Sequence, residues 1–147
     1  MLNRLIFSID IPAEKTSVWK ALWEDDYYRK WSAVFLEGSY MLAENWEEGG
    51  IVHFLGPDQS GIYSKIEQFI PFSIISFKHI GKVTDAKPQP IDEETKTWSG
   101  ATETYKLIEG KNTVKLEVEI DIMDEHLEFM KDKFPKALEL IKENSCL

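Results

Sequence analysis

Val114-Lys115-Leu116-Glu117-Val118-Glu119-Ile120-Asp121-Ile122, followed by Asp124-Glu125 and then by Leu127, Met130, Phe134, Leu138 and Ile141, decides the fold. In the first part Val114, Leu116, Val118 and Ile120 share one face and Lys115, Glu117 and Glu119 the other, as in a strand with one buried side. In the second part the spacing switches to three and four, which predicts one long amphipathic helix over 124–145. The leading acids suit a helix N-terminus, and Glu128/Lys131, Asp132/Lys136 and Glu139/Lys142 are opposite-charge pairs on its outer side. Pro135 removes one backbone hydrogen bond and should kink the helix.

Upstream of this unit the chain reads as an antiparallel meander, with short alternating runs at about 34–44, 51–56, 61–70, 73–81, 99–109 and 113–122. Turn residues separate them: Glu47-Glu48-Gly49-Gly50, Gly56-Pro57-Asp58-Gln59, Ile70-Pro71-Phe72 and Glu109-Gly110-Lys111-Asn112. The polar, proline-containing stretch at about 83–97 reads as a mobile hairpin loop. At the start, Leu5, Phe7, Ile9 and Ile11 alternate with polar residues in a first strand, which Pro12 stops. Val18/Leu22 and Trp19/Trp23 then pair at i and i+4 in a first helix, and Glu24-Asp25-Asp26 opens a second turn or short helix ending near Trp31. The expectation is one α+β domain over 1–147, with about seven antiparallel strands, two short helices after strand 1 and a long final helix. A curved sheet wrapped around that helix would bury its stripe and leave a space between them.

Composition narrows the function. The 147 residues are 43% hydrophobic and 12% aromatic, enough for a sizeable core. The net charge of −9, with scattered positive residues, speaks against nucleic acid and anionic membrane surfaces as partners. A single cysteine, Cys146, allows no internal disulfide, and no apolar run approaches the roughly 20 residues of a membrane helix. A cytoplasmic protein is expected. No HExxH, acidic calcium loop, glycine-rich phosphate loop, GxSxG elbow or dinucleotide fingerprint occurs, so no metal or cofactor is expected.

Ile9-Asp10-Ile11-Pro12-Ala13-Glu14 with Val18-Trp19-Lys20-Ala21-Leu22 and Trp31 resembles the opening signature of a known family. Trp46-Glu47-Glu48-Gly49-Gly50, Gly61-Ile62, Lys65-Ile66 and Pro71 with Ile74 to Phe77 resemble its middle, and Phe134-Pro135-Lys136-Ala137-Leu138-Glu139-Leu140-Ile141-Lys142 its end. The family is the SRPBCC (START/birch-pollen-allergen-like) superfamily, in the branch named after the activator of heat-shock protein 90 ATPase, and the resemblance covers almost the whole chain. It implies a helix-grip fold with a deep apolar cavity between the sheet and the C-terminal helix. Members of the superfamily bind lipids, sterols, hormones or polyketides, and some are cyclases or hydroxylase components.

The candidate cavity residues are Trp31, Trp46, Phe54, Tyr63, Phe77, Trp98, Tyr105, Phe129, Met130, Phe134 and Leu138. Aromatics fill cores more often than they line ligand sites, but as a set these favour an apolar pocket. His53, His79 and Glu103 are the candidate polar groups. A strand histidine can titrate near neutral pH, and Glu103 shares strand parity with Tyr105 and Leu107. Glu67 lies opposite Ile62 and Ile66 and reads as solvent-facing. No nucleophile is placed beside a base by spacing, so no catalytic residue is named and a binder is favoured over an enzyme. The leading reading is a monomer or homodimer that holds a small hydrophobic ligand, lipid-like or aromatic. The alternatives are a stress-response or co-chaperone-like module stimulating a heat-shock chaperone ATPase, and a cyclase, dehydratase or hydrolase acting on apolar substrates.

Overall fold

The computed structural model describes residues 1–147. Strand β1 (Leu2–Ile11) leads into helices α1 (Lys15–Trp23) and α2 (Asp25–Ser32). The meander follows as β2 (Tyr40–Ala43), β3 (Ile51–Leu55), β4 (Gly61–Ile70), β5 (Ile74–Thr84) and the two-residue β6 (Lys87–Pro88). A one-turn helix, α3 (Glu93–Lys96), precedes β7 (Thr102–Glu109) and β8 (Val114–Met123); a 3-10 turn (Asp124–His126) then feeds α4 (Leu127–Ser145). All pairings are antiparallel in the order β1-β8-β7-β5-β4-β3-β2, with β6 on β5. The eight-stranded curved sheet grips α4, which also packs on α1 and α2. No helix is long and apolar enough to cross a membrane.

Alternation gives the sheet its two faces. Val114, Leu116, Val118 and Ile120 are buried on the concave side, while Arg4 reaches Asp121 at 3.0 Å on the other side. Glu67 is exposed and lies 3.9 Å from Lys78, as its parity predicts. Phe72 and Asn112 take positive φ, 65° and 68°, in two of the expected reversals.

Two expectations are corrected. Residues 34–39 are not a strand: the amides of Val34, Phe35 and Leu36 bond back to Trp31 and Ser32, so the chain keeps coiling after α2 until Gly38, at φ 84°, turns it. The stretch 83–97 is not a loop throughout. It holds β6 and α3, is capped by Asp92 on the Thr95 amide at 2.8 Å, and is tied down by Lys82 to Glu94 at 2.9 Å. Helix α4 runs as one element through Pro135.

Burial along α4 is graded. Phe134, Ala137, Leu138 and Ile141 are buried, whereas Leu127 and Met130 are only partly covered and Phe129 is exposed. The second half of the helix closes the core, and the first half spans a space.

Candidate functional site

That space is a cavity with two adjoining chambers. The smaller, about 270 Å³, lies among Tyr28, Trp31, Phe35, Phe54, Tyr105 and Phe134. The larger, about 440 Å³, is bounded by Ile62, Trp98, Ala101, Ile120, Ile122 and Met130, with Lys82, Glu94, Asp121, Glu125 and His126 around it. Ile62, His79, Glu103, Met130 and Phe134 belong to both and form the seam.

Aromatic geometry explains where the space stops. From α1 and α2, Trp23 and Trp31 enter the concave face, and Trp23 lies 4.9 Å from Tyr105 at 82°, 5.5 Å from Phe77 and 5.7 Å from Trp46. The Trp31 ring is fixed by its N–H donating to the Leu22 carbonyl at 3.0 Å. Edge-to-face pairs of this kind fill space densely and add to simple burial. At the seam, Phe134 stacks on Phe7 at 4.9 Å and meets Phe35 edge-on at 4.9 Å, so the helix is pinned where the cavity begins.

A line of polar groups crosses the seam. The Ser64 hydroxyl lies 2.6 Å from His79 Nδ1, and His79 Nε2 lies 3.4 Å from Glu103 Oε1. The Tyr105 hydroxyl donates to Glu103 Oε2. Strand pairing builds the line, because Ser64 faces His79 across β4 and β5, and Glu103 precedes Tyr105 by two residues on β7. A register shift between Tyr63 and Ser64 sets His79 at this height. Burial pushes the Glu103 carboxyl up, but His79, by hydrogen bond and charge, and the Tyr105 hydroxyl outweigh it and hold the group below the usual carboxylate range. Burial, the Glu103 charge and the hydrogen bond to it raise the Tyr105 phenol well above its ordinary value, so it stays a donor. Burial and the same charge raise the Tyr28 phenol, against a hydrogen bond from Ser32. Ser64 is fully buried behind the imidazole and is no accessible nucleophile.

Of the residues singled out from sequence, Trp31, Phe54, Trp98, Tyr105, Met130 and Phe134 line the cavity, and His79 and Glu103 face it together. The others lie elsewhere. Trp46 and Phe77 belong to the packed aromatic cluster, and Leu138 to the core beneath α4. Phe129 is exposed and lines neither chamber; its ring lies 6.5 Å from that of Phe35, with Lys133 over it at 6.0 Å. Tyr63 and His53 pair with one another in register on the opposite sheet face, where Tyr63 covers Gly81; a Cβ there would meet its ring at 2.8 Å. Sequence reading missed Tyr28, Phe35, Ile62 and Ser64. Strand parity with Ile66 could have found Ile62 and Ser64, but the coil after α2 hid Phe35.

No family model matches the chain, and no curated protein matches it. Solved structures do. The Aha1 dimer from Colwellia psychrerythraea, in solution, superposes with a TM-score of 0.67 at 18% identity, over 96% of this chain and 94% of that one. The crystal structure of CalU16 from Micromonospora echinospora gives 0.67 at 16% identity, over 98% and 76%. That of Ara h 8.0201 gives 0.66 at 12%, over 99% of both chains. Sheet order, gripping helix and these superpositions together establish that the chain has the helix-grip fold of the superfamily its sequence resembles.

Proposed function

We propose that the protein binds a small, largely hydrophobic molecule between its sheet and the first half of α4. The observation that carries this reading is the contrast within one concave face: aromatics interlock at one end, while a cavity of about 440 Å³, adjoined by a smaller chamber, persists at the other. Such a size suits a drug-sized ligand, and the mix of apolar wall with few convergent polar groups is what small-molecule sites share. Affinity would come mainly from apolar area removed from water, at roughly 25 cal/mol per Å², with Glu103 and His79 fixing orientation.

The test is the intact mass of freshly purified protein under native and denaturing conditions, with organic extraction of what is released. A discrete adduct lost on unfolding is expected. Bare protein from several hosts would count against resident ligand.

One observation favours a second reading. His79 and Glu103 form a close acid–base pair, 3.4 Å apart, on the cavity wall, an arrangement suited to general-base catalysis on an apolar substrate. Turnover that His79→Gln abolishes, with ligand affinity kept, would move the protein from binder to enzyme. The co-chaperone alternative draws only on the acidic surface and on one fold neighbour's name, and the cavity takes precedence.

A further inference from the structure

Resting on the cavity reading, the geometry points to a more definite ligand class: an apolar body carrying a protonated amine, its ammonium seated at the seam against Glu103 and the aromatic wall. Three observations converge. First, the polar line runs toward the carboxylate. Ser64 lies against His79 Nδ1, His79 Nε2 lies 3.4 Å from Glu103 Oε1, and the Tyr105 hydroxyl donates to Oε2. Each carboxylate oxygen thus has one polar neighbour, and the group lines both chambers of the cavity. Its neighbours within 4.0 Å are the His79 imidazole and the Tyr105 hydroxyl, and no Lys or Arg nitrogen is among them. In an apolar cavity an added counter-charge interacts strongly with such a carboxylate.

Second, aromatic rings flank the carboxylate: Tyr28, Trp31, Phe54 and Tyr105 line the chamber that opens beside it. Ring faces attract cations, and the attraction grows as water is excluded. A carboxylate beside a ring wall is complementary to an ammonium group and repels a ligand carboxylate. Third, the larger chamber has the same sign. Glu94, Asp121 and Glu125 line it with Glu103 against one lysine, Lys82; Lys82 pairs with Glu94 at 2.9 Å and Arg4, from outside the chamber, with Asp121 at 3.0 Å, so that an excess of acidic groups is left. Fatty acids and other anionic amphiphiles would meet repulsion at the seam and along the chamber. The apolar body fills the space among Ile62, Ile120, Ile122 and Met130.

A matched probe series tests this: 4-phenylbutylamine, 4-phenylbutanol and 4-phenylbutanoate, titrated calorimetrically into the full chain. Salt of about 0.3 M screens the diffuse attraction of the net charge for any cation. The amine is expected to bind tighter than the alcohol by on the order of tenfold or more, with the carboxylate weakest. Glu103→Gln should erase the amine's advantage, whereas Glu93→Gln, which removes a negative charge away from the cavity, should preserve it. Equal binding of amine and alcohol, or a preference that survives Glu103→Gln, overturns the inference and leaves the pocket standing. Failure of all three probes to bind overturns the pocket reading with it. If Glu103→Gln does not fold, the ranking of the three probes on the unmodified protein decides alone.

Discussion

The two ends of the concave sheet face use the same residue types and come out differently. At the α1 end, Trp23, Trp46, Phe77 and Tyr105 interlock edge to face. At the other end, Phe54, Trp98 and Met130 surround open space and a line of polar groups, Ser64, His79, Glu103 and Tyr105. What differs is the supply of side chains from above. Two helices drive tryptophans into the first end, whereas the second is roofed by the first turns of α4, which contribute Met130 and Phe134 but leave Phe129 exposed and outside the cavity lining. Aromatic content therefore does not distinguish core from cavity; what packs against the aromatics does.

The contrast is broken most strongly from the packed end. Phe77→Ala removes a fully buried ring that touches four aromatics, and should lower unfolding free energy by about 3–5 kcal/mol, read as a drop in the urea midpoint. A loss below about 1 kcal/mol would mean that this end is as loosely filled as the other.

At the open end Met130→Lys should do the reverse. The partly covered side chain gives up little packing, so stability should fall by about 1 kcal/mol or less, while affinity for an apolar probe should drop on the order of tenfold or more. The new ammonium would occupy the seam from within. Unchanged binding by a folded variant places the site elsewhere.

The gentlest test concerns the rim. Burial pushes the Asp121 carboxyl up, but the Thr102 amide and hydroxyl and Arg4 outweigh it and lower its pKa. Because the folded value lies below the unfolded one, the stability it contributes is present above the unfolded value, about 3.9, and is lost as pH falls through the folded value. Asp121→Asn should thus reduce stability at neutral pH and flatten the decline in acid, measured by thermal melts from pH 7 to pH 2. An unchanged acid slope would remove Asp121 from the linkage.

Regular alternation made the fold readable: 114–122 and the stripe on α4 are unambiguous periods, and the family-like residues agree with them. The site was half legible. Glu103 stood out because parity puts it with Tyr105, and that parity held. His53 and Tyr63 were not separable from His79 and Phe54 by composition, since which face a strand residue takes depends on a register shift that alternation does not reveal. Phe35 was lost because β-prone residues continued a helical coil.

The pairing of β1 with β8 has a kinetic side. Asn3 reaches the Ile122 carbonyl across 119 residues, so the seam's Phe7 and Phe134 meet only after a very long loop has closed. Loop closure on that scale slows folding toward the milliseconds-to-seconds range typical of sheets built from distant strands. The wall of the cavity is thus a property of the whole chain, and shortened fragments that retain the meander would lack it.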